Sequence, residues 1–262
     1  VELDIHIISI AGGHILNGAA YLNATGAGID EFNTWFKKYI DNNQFRSVSA
    51  DQFNKDIKNN FGFEFTRGEY ILLLNNDIEV ITPDWLQEML MFAQREDVGA
   101  VGAMLYYPDD TIQHAGVIVG VGGVAGHSHK GFPRDAVGFM YRLSIAQNLS
   151  AVTGACMMVQ KKAFDEVGGF DTGFAVAYND VDLCLRLRRR GKWVLFTPYA
   201  ELYHHESKSR GTDEEGEAAD RFAHEKELLY DRYGDELRRD PFYNPNLTAD
   251  REDFSESDVL SE

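Results

Sequence analysis

The sequence predicts an α/β fold: a mixed, mostly parallel sheet flanked by helices, with a helical extension at the carboxyl end. Two observations predict the class. Short apolar runs rich in β-branched residues alternate with segments whose aromatic and aliphatic residues recur at helical spacing. Glycine or proline punctuates many of the boundaries between them. A third observation concerns chemistry, because several apolar runs end abruptly in Asn, Asp or His, where the strand ends of an open α/β sheet face a crevice.

Taken in order, residues 3–10 read as a strand through Ile5, Ile7, Ile8 and Ile10. A glycine-rich stretch over 11–28 reads as loop, and 30–39 as an amphipathic helix through Phe32, Trp35, Phe36 and Tyr39. A short strand is expected over 47–50 and a helix over 51–67, with Phe53, Ile57, Phe61 and Phe65 on one face; Gly68 breaks it before a strand over 70–74. Pro83 opens a surface helix that carries Trp85, Leu86, Met89, Leu90 and Phe92, and 98–106 is the next strand. Residues 108–138, rich in glycine and histidine, read as a long functional loop with one short strand over 116–121. A strand over 149–160, a short helix over 162–167 and a turn over 168–171 follow. The spacing then predicts a helix over 180–190, a strand over 193–196 and an acidic amphipathic helix over 217–233.

At 262 residues, 44% of them hydrophobic, the chain can bury a full core as one large domain or one domain with an appendage. Its net charge of −17 argues against nucleic acid or an anionic membrane as partner, since both demand a basic surface. From residue 212 onward there are 17 acidic against 6 basic residues, so this tail carries −11 of the total. An anionic substrate would need a cation to offset the repulsion. Cys156 and Cys184 sit in apolar contexts without Cys-x-x-Cys spacing, which points to buried thiols rather than a zinc site or a disulfide. With no basic leader or membrane span in view, the expected location is the cytoplasm, with room for peripheral attachment at the inner face of the membrane.

Three polar clusters carry the chemical signal: Asn75-Asn76-Asp77, Asn179-Asp180-Val181-Asp182 and His204-His205. A strand-end Asp can hold a divalent cation, although Asn and Asp also serve plain turns. Asp180 can act in a cleft while a neighbour caps the helix that starts there. A histidine at the end of an apolar strand is a suitable imidazole ligand beside such carboxylates. His114, His127 and His129 in the long loop fit substrate contact better than a second metal site. The arginines at 186, 188, 189 and 190 are interleaved with leucines and read as a solvated helix face.

Together with Gly68-Glu69-Tyr70, Gly154-Ala155-Cys156-Met157, Val167-Gly168-Gly169-Phe170-Asp171 and Asp240-Pro241-Phe242-Tyr243, these clusters make the chain resemble a bacterial family 2 glycosyltransferase of the GT-A fold, rhamnosyltransferase-like. The resemblance covers roughly residues 53–254. It implies a metal-dependent inverting transferase of the hexosyltransferase class, acting in cell-surface polysaccharide synthesis. Donor and acceptor would be a UDP- or dTDP-sugar and a saccharide. It further implies a Mn2+ or Mg2+ cofactor held by Asp77 and His204, with His205 as second choice, and donor contacts at Asn75, Asn76 and Asp77. Asp180 would be the base, and His114, Gly154, Ala155, Asn179 and Asp182 would meet substrate. Asn75 departs from the first Asp of the family's usual strand-end motif, and Asn179 stands where Glu is usual.

The expected domains are a GT-A domain over 1–211, with 1–52 as an atypical nucleotide-binding part, and an acidic helical extension over 212–262. The irregular amino-terminal part also admits a non-catalytic carbohydrate-binding or scaffold protein that keeps the fold. If that part leaves a sheet edge open, a homodimer could cover it.

Overall fold

The structure, a computed structural model, describes residues 68–75, 77–174, 177–205 and 217–257, with the backbone alone of 5–8, 10–11 and 14–15. The helices expected over 30–39 and 51–67 and the strand over 47–50 lie outside the described residues. Strands β1 (Ile5–Ile8), β2 (Ile10–Ala11), β3 (His14–Ile15), β4 (Tyr70–Leu74) and β5 (Ile78–Val80) precede helix α1 (Trp85–Ala93). Strands β6 (Val98–Tyr106), β7 (Ile112–His114), β8 (Val117–Val119), β9 (Ala125–His127), β10 (Gln147–Asn148) and β11 (Cys156–Gln160) follow. Helices α2 (Lys161–Glu166) and α3 (Asn179–Arg189), strand β12 (Trp193–His204) and helix α4 (Glu217–Arg238) complete the order.

The main sheet runs β1-β4-β11-β6-β12-β10, with β5 on β12 and β7 on β6. Pairs β1–β4 and β6–β12 are parallel. Strand β11 lies antiparallel between β4 and β6, so β1, β4, β6 and β12 still share one direction. Alternation of side chains along the strands divides the interior into two cores. Leu72 and Leu74 face the side covered by Trp85, Leu86, Met89 and Leu90 of α1, while Ile71 and Leu73 face the side covered by α3 and α4. All nine residues of β6 are buried because both its faces are covered and it has a strand on either side.

Several boundaries differ from the sequence reading for physical reasons. Strand β12 does not stop at Phe196: a register shift between Thr197 and Glu201 carries it past Pro198, which has no N–H for the ladder, and pairing resumes as far as Tyr203. Strand β11 starts only at Cys156, because residues 153–155 turn to reach other elements. The long loop holds three short strands rather than one, since β7 pairs with β6 and β8 with β9. Helix α4 continues to Arg238 through a kink at Tyr233. Its Leu229, Tyr233 and Leu237 enter the same core as β6, together with Leu247 and Phe254.

Arg189 and Arg190 are exposed, as expected of a solvated face, but Arg186 and Arg188 are partly buried. Arg186 donates to the carbonyls of Val167 and Gly169, Arg188 to Ser150 Oγ, and Arg189 to Glu236 and to the carbonyl of Arg232. They tie α3 to three other segments. Both cysteines are buried and unbridged, and burial pushes the Cys184 thiol up to about 12. No helix among the described residues is long and apolar enough to cross a membrane.

Candidate active site

The site is built at the carboxyl ends of β4 and β12. The apolar run of β4 ends at Asn75, whose N–H donates to the carbonyl of Ala155 at 2.9 Å. That bond draws the turn leading into β11 against the end of β4. On the other side β5 pairs antiparallel with the end of β12, placing Ile78 opposite His204, and the N–H of His205 donates to the carbonyl of Asp77 at 2.9 Å. Backbone geometry thus brings residues 75, 77, 155 and 204 to one edge of the sheet.

At that edge Asp77 Oδ1 lies 3.2 Å from His204 Nε2, and Asn75 Nδ2 donates to the same nitrogen at 3.0 Å. The orientation of the imidazole is fixed from behind. Gln113 Nε2 donates to the backbone carbonyl of His204 at 3.4 Å, so its Oε1 is turned to accept from His204 Nδ1, at 2.6 Å. With the proton on Nδ1, His204 presents a lone pair at Nε2 towards the Asp77 carboxylate. Two electron-rich atoms at that separation suit an intervening cation, and a histidine whose second nitrogen donates to a fixed acceptor is the usual arrangement of a ligating imidazole. The described residues contain no group of three or more His, Cys, Asp or Glu able to hold a metal, so a cation here would complete its shell from a bound substrate and water. His205, the second choice, is exposed and pairs with Glu79 at 3.0 Å, away from this cluster. Asn76 lies outside the described residues.

Asp180 enters from the start of α3. Tyr178 precedes the helix with φ 60° and ψ 7°, a left-handed conformation for a bulky residue that turns the chain sharply into the first helical turn. Asn179 Oδ1 accepts the N–H of Asp180 at 2.7 Å, and Asp180 Oδ1 accepts the N–H of Val181 at 2.8 Å. The other carboxylate oxygen, Oδ2, accepts the N–H of Gly154 at 2.9 Å. A Cβ on residue 154 would stand 3.6 Å from Asp180 Cβ, an ordinary contact distance, so the two residues lie side by side. The turn 154–155 therefore bridges the Asp77–His204 edge to Asp180, one residue to each side.

Two of the expected substrate contacts fall elsewhere. Asp182 is fully buried and points into the protein, where it accepts from Arg186, Arg232 and the hydroxyl of Tyr233. It is the joint between α3 and α4 rather than a substrate contact. His114 is also fully buried, because β7 turns it inward against His127 and the N–H of Thr153. Burial, with the neighbouring imidazoles of His127 and His204, holds its pKa well below the ordinary value. It lies beneath the site rather than in it. Gln113, which orients His204, was not singled out from the sequence; a single glutamine in a segment read as loop gave no signal.

The sequence matches the family described as glycosyl transferase family group 2 over residues 70–239. It is 49% identical over 206 residues to an uncharacterised protein of Sinorhizobium fredii, covering 78% of this chain and 23% of that one. An O-antigen biosynthesis protein of Myxococcus xanthus is 39% identical over 215 residues, 81% of this chain and 16% of its own. An N-acetylglucosaminyl-diphospho-decaprenol L-rhamnosyltransferase of Mycobacterium tuberculosis is 28% identical, over 55% of this chain and 50% of its own. The chain thus spans a quarter or less of the length of the first two relatives. Among solved structures, a crystal structure of GalNAc-T7 with UDP, GalNAc and Mn2+ superposes with a TM-score of 0.50 at 13% identity, covering 79% of this chain and 41% of that one. That likeness concerns the GT-A fold alone.

Proposed function

This chain belongs to glycosyl transferase family group 2, and from that membership we propose that it transfers a sugar from a nucleoside-diphosphate donor to a saccharide hydroxyl, with inversion, in the assembly of a surface polysaccharide. The observation that carries the reading is the convergence of Asn75, Asp77 and His204 at one strand edge with Asp180 one turn away, joined by the backbone of residues 154 and 155. The names of the relatives from Myxococcus and Mycobacterium support the polysaccharide context.

In this reading Asp77 and His204 would hold a divalent cation, Mn2+ or Mg2+, and Asn75 would share the donor side. The cation, when bound, neutralises charge on the departing diphosphate. Asp180 takes the proton from the acceptor hydroxyl as its oxygen attacks the anomeric carbon, and the bond from that carbon to the diphosphate oxygen breaks. The two backbone N–H groups on its oxygens hold the carboxylate in one orientation and leave lone pairs for that proton. Attack from the face opposite the leaving group inverts the centre without a covalent enzyme intermediate.

The test is calorimetric titration of UDP, dTDP and GDP with and without Mn2+, followed by nucleoside diphosphate release from the matching sugar donors. Metal-dependent binding of one nucleotide, with turnover falling about 10²–10⁴-fold in Asp180→Asn, is the expected result. Binding of glycan but of no nucleotide would instead assign a non-catalytic carbohydrate-binding role.

A further inference from the structure

Asp180 is held from both sides by one helix. After it in the chain, the buried Asp182 accepts from Arg232 and Tyr233 of α4. Before it, the N–H of Ala177 donates to Glu225 Oε2, also of α4, at 2.7 Å. Asp180 therefore lies on a short span whose two ends, 177 and 182, are bonded to the same helix, at points about two turns apart along it.

Packing alone does not account for Glu225. It is 1% exposed and shares one stripe of α4 with Leu229 and Tyr233, four and eight residues on, which are also buried and enter the core. A carboxylate on such a stripe is costly unless it is hydrogen-bonded, whereas an aliphatic side chain would fill the place without that cost. Its acceptor role towards residue 177 explains why an acid stands there.

The segment it holds is one that does not hold itself. Tyr178 has φ 60°, a conformation that a bulky residue keeps only where its surroundings impose it. It precedes α3 without a side-chain cap, and its carbonyl accepts the first helical bond, from the N–H of Asp182 at 2.8 Å. Its ring meets that of Phe222 of α4, with centroids 5.5 Å apart. Residues 222 and 225 of α4 thus grip the chain at 178 and 177, immediately before Asn179 and Asp180.

Resting on the function proposed above, we infer that Glu225 is a positioning residue for the transfer: by accepting the Ala177 N–H it keeps Tyr178 in its left-handed conformation, and so sets the direction in which the Asp180 carboxylate meets the acceptor hydroxyl. Buried in the helix contact, Glu225 touches no substrate and acts through Asp180.

Hydrogen exchange read by NMR tests the contact without any substrate. The Ala177 amide should exchange slowly in the native chain, about tenfold or more faster in Glu225→Ala, and slowly again in Glu225→Gln, whose side-chain oxygen can accept the same bond. Equal exchange at Ala177 in the native chain and Glu225→Ala overturns the contact. Transfer kinetics then test the role, with UDP-glucose, dTDP-rhamnose and GDP-mannose as donor probes and methyl rhamnoside as acceptor probe, on variants shown by circular dichroism to be folded. Glu225→Ala should lower kcat about 10–100-fold with the donor KM within about twofold of native. Glu225→Gln should recover most of that loss. Glu227→Ala, which removes a carboxylate from the exposed side of the same helix, should transfer like the native chain. A native kcat in folded Glu225→Ala, a loss that falls on the donor KM, or no recovery in Glu225→Gln overturns the assignment and leaves Glu225 a packing residue. Absence of turnover with every donor would defeat the transferase reading itself, while the exchange rates would still decide the contact at Ala177.

Discussion

Replacing Asp182 with alanine removes the carboxylate on which two helices meet. In the native protein this group is 0% exposed and accepts from Arg186 Nε at 2.8 Å, Arg232 Nη1 at 3.3 Å and Tyr233 OH at 2.7 Å. Truncation leaves those donors facing a cavity. Arg186 keeps the carbonyls of Val167 and Gly169, and Arg232 keeps Asp171, so neither guanidinium is left wholly unpaired. The cost should therefore fall near the lower end of the roughly 3–5 kcal/mol that follows loss of one partner of a buried ion pair. Tyr233→Phe removes one bond to the same carboxylate and should cost about 1 kcal/mol. The two losses should combine to less than their sum, because the tyrosine hydroxyl has already lost its acceptor in Asp182→Ala. Urea unfolding followed by tryptophan fluorescence measures all three variants. A loss under about 1 kcal/mol for Asp182→Ala, or strict additivity, would refute the account of Asp182 as a helix joint. Weakened substrate binding at unchanged stability would return it to the substrate side.

Other outcomes follow from the same geometry. Gln113→Leu deprives His204 Nδ1 of its acceptor and should weaken Mn2+ binding about 10–100-fold by calorimetry, whereas unchanged affinity would dissociate Gln113 from the proposed metal site. Burial, with Arg142 nearby, lowers the His129 pKa from 6.5 to about 4, so the folded chain leaves this ring neutral where the unfolded chain protonates it. Its stabilising contribution is then present above pH 6.5 and is lost as pH falls towards 4, by roughly 3 kcal/mol in all; urea midpoints that depend on pH equally in His129→Phe and the native chain would contradict this. Gly120 has φ +83°, and a Cβ there would stand 2.2 Å from the carbonyl oxygen of Leu237. Gly120→Ala should lose about 2 kcal/mol or more, read as a lowered Tm, and a neutral substitution would mean that the end of α4 moves freely.

The features legible in the sequence were those carried by local pattern. The run of β4 ending at Asn75, the helix start at Asn179 and the apolar segment before His204 each announce an element and its end, so the polar clusters could be placed at strand and helix termini. What the pattern lacked was partners. Asp182 and Arg186 stand four apart on one helix, a spacing that signals an ion pair, yet their burial depends on Arg232 and Tyr233 from about fifty residues away. Arg186 and Arg188 misled for the same reason. The strand expected over 193–196 stopped short because the shift that carries it past Pro198 is set by β6, and while β8 falls within the strand expected over 116–121, β7 and β9 gave no signal of their own. The contact of His114 with the backbone N–H at residue 153 joins two positions that no spacing in the sequence links.

The order of strands in the sheet has a consequence for synthesis. When a ribosome has released the chain through Gln160, strands β4, β6 and β11 are all present and can pair, since β11 lies between the other two. Asp180 and His204 have yet to emerge, and β12, which carries His204, closes against β6 only after more than forty further residues. The nascent chain can therefore acquire its central sheet while it still lacks both Asp180 and His204, and the edge that joins Asp77 to His204 comes into being at the last long pairing. A product of translation cut off at Gln160 would present the central strands with neither Asp180 nor His204 at their edge.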